Sequence, residues 1–260
     1  SRARKMIRLE QNHADAYTLI FDLLDAIDNG QGADTVDGCY ASLTGEVCID
    51  GSEIGVAFDV TSEGISLLSF FDYTGEREFL GGFGDSMWRI QARNASGDFV
   101  SVNSDADWST VSVSIDPNAG PTVDLTWQDH IDAQFQGLAV TASLTFDGRR
   151  TSWSLEALNN STASLYYVDF PKVSIGQLGD IADDDALLVP RGPGVLKENP
   201  LNQYNTMTGY YPSGNTPMQL SGVYDELSGL YIATHDPNGN AKELRIGNRM
   251  DERSGRLENN

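Results

Sequence analysis

Trp127-Gln128-Asp129-His130 places an aromatic ring, an amide, a carboxylate and an imidazole in consecutive positions at the end of an alternating apolar run. An indole can stack on the apolar face of a sugar ring while polar neighbours take its hydroxyls. A second such set lies in the stretch "GYYPSGNTPMQLSGVYDELSGLYIATHDPNG" beginning at Gly209, which offers Tyr210, Tyr211, Gln219, His235 and Asp236. Read together, Trp127, Asp129, His130, Tyr211, Gln219, His235 and Asp236 form the candidate binding set. Each falls at a strand end or in a loop, where polar binding groups on a rigid scaffold are usually carried.

Other chemistries leave less trace. No G-x-S-x-G nucleophile elbow, no H-E-x-x-H zinc pattern and no phosphate-cradling glycine loop occurs, and "GGFG" at 81–84 reads as a strand-end turn. The 38 acids supply too many carboxylate pairs for any one to stand out as a hydrolytic pair. The densest run is "DIADDD", with Asp180, Asp183, Asp184 and Asp185. Crowded carboxylates suit Ca2+, which takes oxygen ligands, and Asp183, Asp184 and Asp185 are the candidate metal set. The run lacks the glycine and closing glutamate of an EF-hand, so a solvated acidic loop is the competing reading. The two cysteines, Cys39 and Cys48, fit no zinc or redox spacing. A disulfide and two buried thiols are both open to them.

These residues need elements to hold them. Residues 14–28 ("ADAYTLIFDLLDAID") show helical spacing of Ala16, Leu19, Ile20, Leu23, Leu24 and Ile27, with Gly30 as a stop. From Val36 onward the period changes to two. Ile54, Val56, Phe58 and Val60 alternate, as do Trp88, Ile90 and Ala92; Val111, Val113 and Ile115; and Val123, Leu125 and Trp127. Leu138 to Phe146 alternates up to Asp147-Gly148, and Trp153, Leu155 and Ala157 alternate back, which predicts a hairpin with a tight Asp-Gly turn. Met218, Leu220 and Val223 with Tyr224, then Leu230, Tyr231 and Ile232, predict two more strands joined by a turn at "YDELSG". Many short strands without βαβ alternation imply an all-β fold: a large antiparallel β-sandwich with one N-terminal amphipathic helix. Three segments follow: a basic arm and helix over 1–35, the sandwich over 36–244, and a charged tail over 245–260 that loses alternation. Trp88, Trp127 and Trp153 continue apolar strand faces, so core packing competes with sugar stacking for each.

The formal net charge is −21, and four of the 17 basic residues lie in the first eight positions. Such a chain repels phosphate backbones and anionic lipid, which argues against nucleic-acid or membrane partners. It suits an extracellular, periplasmic or high-salt setting.

Several motifs together carry a family resemblance. "YYPSGNTPMQLSGVYDELSGLYIATHDPNG", "DDDALLVPRGPGVLKENP" at 183–200, "LTW" at 125–127 and "WSLEALNNSTASLYYVDFPKV" at 153–173 resemble a pattern in bacterial glycoside hydrolase-like proteins. In these a large N-terminal β-sandwich of galactose-mutarotase-like supersandwich type precedes a (β/α)8 barrel, and the relatives are distantly similar to α-galactosidase-type enzymes. The resemblance spans roughly Val36 to Leu244. It implies a carbohydrate ligand, a (β/α)8 catalytic domain as partner, and catalytic carboxylates on that barrel rather than in this sandwich. Two alternatives follow. One is a self-sufficient aldose mutarotase-like enzyme using His130 or His235 as acid and base. The other is an extracellular calcium-stabilised structural or adhesion module.

Overall fold

The computed structural model describes residues 7–10, 46–50, 53–81, 85–116, 122–178, 181–202, 207–234, 236–249 and 256–259. The helix expected at 14–28 and Cys39 lie outside these residues. Cys48 falls in a strand, Glu46–Asp50. Among the described residues the fold is all-β, with only three short 3-10 turns, at Ala133–Phe135, Ala182–Asp184 and Pro200–Asn202. No described helix is long and apolar enough to cross a membrane.

Four sheets share one apolar core. The largest runs, in spatial order, through Trp108–Asp116, Thr122–His130, Leu138–Asn159, Ile7–Glu10, Gly229–Ala233, Leu220–Tyr224, Ala186–Val189 and Val195–Glu198. Its pairings are antiparallel except at Ile7–Glu10, which lies parallel to both neighbours. A second sheet is built on Glu46–Asp50, Ile54–Val60 and Ile65–Asp72. A third orders Val173–Ile175, Arg256–Asn259, Lys242–Arg249 and Met207–Tyr211. The fourth joins Ser164–Asp169, Arg89–Arg93 and Phe99–Asn103. The alternating positions go inward as the pattern requires: Ile54, Val56, Phe58, Trp88, Ile90, Ala92, Val123, Leu125 and Trp127 are all buried in a single cluster. Trp108–Asp116 differs. It is an edge strand, Val111 and Val113 are only half-buried, and Ile115 is exposed.

Two expectations need correction. The Asp147-Gly148 hairpin does not form. Leu138–Asn159 is one continuous strand of 22 residues, and its antiparallel partner is the preceding strand, with Thr122–Gln128 facing Ala139–Thr145. Asp-Gly permits a tight turn without requiring one, and here pairing across the 131–137 connection wins. Burial falls on even positions from Leu138 to Phe146 and on odd positions from Thr151 to Leu155. Between Phe146 and Thr151 the buried face therefore passes from one residue parity to the other. The second correction concerns the tail. Lys242–Arg249 and Arg256–Asn259 are antiparallel strands with Ile246 opposite Asn259, although the charged stretch over 245–260 loses the alternation that marks a strand. Ladder hydrogen bonds and a buried Ile246 hold them where side-chain alternation is weak.

Candidate functional site

The Met207–Tyr211 strand, the end of Ala186–Val189 and the loop at 212–216 enclose a half-open cleft of about 440 Å³. Its walls carry Arg191, Thr208, Tyr210, Ser213 and Asn215 over an apolar floor of Val189, Leu244 and Ile246. Tyr210 stands out because 64% of its surface is exposed, while Tyr211, one step along the pleat, is half-buried. The loop is pinned on both sides. Ser213 and Thr216 exchange backbone hydrogen bonds of 3.2 and 3.3 Å, and the Gly192 N–H donates to the Asn215 carbonyl at 2.8 Å. Gly209 is required at the cleft floor, since a Cβ there would lie 2.4 Å from the Thr216 hydroxyl.

Beneath the cleft lies a buried polar knot. Tyr211 faces Lys242 across the ladder, and the Lys242 ammonium lies 5.4 Å from the centre of its ring. That ammonium donates 2.6 Å to Asp236 Oδ2 and 2.9 Å to the Asn240 carbonyl. Asp236 also accepts the N–H groups of Asn238 at 2.8 Å and Asn240 at 2.7 Å. Gln219 closes the knot. Its Oε1 accepts from the Thr234 hydroxyl at 2.9 Å and its Nε2 donates to the Asp236 carbonyl at 3.1 Å. The Lys242 contact, helped by the two backbone N–H donors, holds the Asp236 carboxyl down at about 2, against an opposing effect of burial. Tyr211, Gln219 and Asp236 thus meet in one place, and none of the three lines the cleft. His235 lies outside the described residues.

Trp127, Asp129 and His130 form a separate group. Trp127 is fully buried, its indole N–H donates 2.7 Å to the Ser104 carbonyl, and its ring meets Trp88 edge-on at 5.1 Å. No face of it is open to a ligand. His130 is also buried, between Trp108 at 5.2 Å and Phe135 at 5.4 Å. Its Nδ1 accepts the Asp132 N–H at 3.1 Å, and burial lowers its pKa against the pull of Asp107 and Asp132. The imidazole is therefore neutral at pH 7 and walled by rings, an unsuitable position for proton transfer to a sugar. Asp129 is exposed in a left-handed conformation (φ 53°), and its carboxylate accepts the Gly137 N–H at 3.2 Å.

The acidic run does not converge. Asp183 is exposed and takes the Asn199 side-chain amide. Asp184 is exposed, whereas Asp185 is 1% exposed. Asp180 is outside the described residues. Among the described residues no group of three or more His, Cys, Asp or Glu side chains is placed to hold a metal ion. Asp185 has its own peculiarity: Oδ2 accepts the Leu178 N–H at 3.2 Å, while the buried Oδ1 has no hydrogen-bond partner among the described residues. Burial pushes its carboxyl up to about 7, and the charges of Asp184 and Asp225 add to this. An unfolded aspartate ionises near 3.8, while the folded one keeps its proton to about 7. Its contribution to stability is therefore full below about pH 4 and is lost as pH rises through that window. Asp185→Asn is expected to match the native chain near pH 4 and to exceed it by on the order of 2 kcal/mol above pH 7. Urea unfolding at a series of pH values checks this, and parallel pH profiles for the two chains would refute it.

Sequence reasoning missed Arg191, Ser213 and Asn215, which lie in loops without periodicity. The signal that could have found them was the glycine and proline punctuation around them, "PRGPG" and "YPSGN", which marks turns able to wall a cleft. No family model matches the chain, and no curated protein matches it.

Proposed function

We propose that this chain is a non-catalytic, carbohydrate-associated β-sandwich module of galactose-mutarotase-like supersandwich type. It supports the active site of a (β/α)8 glycoside hydrolase domain and takes a sugar in the cleft at Tyr210. The observation behind this reading is a convergence. Two motifs that carry the resemblance, separated in sequence by residues 201–209, both border the cleft. Val189, Pro190 and Arg191 come from the first; Tyr210, Ser213, Asn215 and Thr216 come from the second. The cleft combines an exposed ring with hydroxyl, amide and guanidinium donors and has a volume typical of small-molecule sites. The ring would stack on a sugar face, and the polar groups would take its hydroxyls. Tyr211, Gln219, Asp236 and Lys242 act indirectly by fixing the strand that presents Tyr210. The net charge of −21 suits a secreted or high-salt setting and an uncharged ligand.

Calorimetric titration of the chain with galactose-containing oligosaccharides tests the reading. The double variant Tyr210→Ala, Arg191→Ala is expected to lose affinity at least tenfold while keeping its unfolding midpoint, since both side chains are exposed. No binding by the native chain, or equal binding by the variant, would overturn it.

A further inference from the structure

The outer face of the three-stranded sheet carries an aromatic row that nothing in the cleft accounts for. Phe99, Tyr166 and Tyr167 are 56%, 63% and 38% exposed. Their rings follow one another at 5.4 Å (Phe99–Tyr166) and 5.7 Å (Tyr166–Tyr167). The Arg93 guanidinium lies 4.4 Å from the Phe99 ring centre and 5.8 Å from that of Tyr166. Arg245 lies 5.3 Å from the Tyr167 ring centre. Between the rings the same face presents Gln91, opposite Ser101 and hydrogen-bonded to its hydroxyl.

Tyr166 owes its place to an irregularity. Leu165 pairs with Ala92 and Tyr167 with Gln91, so Tyr166 is an extra residue bulged out of the ladder. A bulge of this kind re-aims a side chain, and here it sets a ring beside Arg93 and Phe99. A sheet face that had only to stay soluble has no need of such a row. The exposed face of Trp108–Asp116 shows the alternative: Ser109, Thr110, Ser112 and Ser114.

Charge narrows the occupant. A chain of net charge −21 repels polyanions as they approach. At the row itself Arg93 has no carboxylate partner among the described residues, so a cationic ligand is opposed there. An uncharged ligand with flat apolar faces and a fringe of hydroxyls meets neither penalty, and a pyranose ring has both features. A row of rings on a rigid sheet suits successive units of a chain better than a single sugar. We infer that the Phe99–Tyr166–Tyr167 face is a second carbohydrate site, a surface platform for a neutral polysaccharide, distinct from the Tyr210 cleft. The inference rests on the carbohydrate reading and extends it from a small sugar to a polymer.

Native gels of the full chain, cast with a neutral galactomannan, a neutral xylan or acidic polygalacturonate, test it. Retardation by a neutral polymer is expected. Tyr166→Ala should weaken it at least tenfold, Tyr166→Phe should retain it, and Thr110→Ala, on another exposed strand, should leave it unchanged. Absence of retardation by both neutral polymers, a preference for polygalacturonate, or full retardation of Tyr166→Ala would overturn the platform. So would a concentration-dependent dimer by light scattering that Tyr166→Ala abolishes, since the row would then be a contact between two copies. Loss of oligosaccharide binding in the cleft variant with retardation by xylan intact separates the two sites. Failure of the gels alone removes the platform and leaves the cleft reading standing.

Discussion

Lys242→Met is expected to destabilise the chain by about 3–5 kcal/mol, which for a chain of this size lowers the melting temperature by roughly 10 °C. The reason is asymmetry. In the native fold the Lys242 and Asp236 side chains are 4% and 1% exposed and meet at 2.6 Å. Removing the ammonium leaves a carboxylate in a dry site with only two backbone donors, and such an uncompensated charge costs far more than the pair contributes net. The double change Asp236→Asn, Lys242→Met should recover much of the loss, because a neutral amide oxygen can still take the Asn238 and Asn240 N–H groups. The pH dependence has a definite sign. Asp236 ionises at about 2 in the fold and near 3.8 when unfolded, so its contribution is present above about pH 4 and is lost as pH falls through 2. The gap between native chain and Lys242→Met should therefore shrink on acidification. A constant gap from pH 7 to pH 3 in thermal melts would contradict this account. Since Asp185 favours low pH and Asp236 opposes very low pH, these two groups together favour a maximum on the acid side of neutrality.

Trp127→Ala is expected to cost about 3–5 kcal/mol, the range for truncating a buried aromatic. The indole fills the centre of the core, meets Trp88 edge-to-face, and supplies the donor for the Ser104 carbonyl. Trp127→Phe should lose less, because a ring remains while the N–H is gone. Neither change should alter the affinity of the folded fraction for sugar, since the ring has no exposed face. Denaturant unfolding gives the first quantity and titration below the melting temperature gives the second. A Trp127→Ala chain of native stability with weakened sugar binding would show that the indole contacts ligand after all.

These two residues illustrate what could be read in the sequence. Period-two alternation located the strands at Ile54–Val60, Thr122–His130 and Gly229–Ala233, because one-sided burial writes itself into residue type. Trp127 was visible as a core candidate for the same reason. The Asp236 turn was legible from "DPNG", but its lysine partner was not. A lysine that begins a charged stretch reads as solvated, and only the ladder opposite Tyr211 brings it inside. The Asp147-Gly148 turn failed because local turn chemistry states what a backbone can do, while pairing with Thr122–Gln128 decides what it does. Tyr166 escaped notice because its exposure depends on a bulge, a feature of register between strands some 70 residues apart.

The Ile7–Glu10 strand has a consequence for how the protein is made. It is the link in the eight-stranded sheet between one antiparallel half, built from residues 108–159, and another built from 186–233. Ile7 pairs with Leu230 and Arg8 with Arg150, so Ile7–Glu10 waits for partners made long after it. At about 5–20 residues per second, the ribosome needs on the order of ten seconds or more to emit the second partner. Throughout that interval the edge of Ile7–Glu10 that is to take Gly229–Ala233 lacks its native neighbour and can recruit another chain instead. A step exposed to misassembly is therefore the seating of Ile7–Glu10 between two strands made long after it.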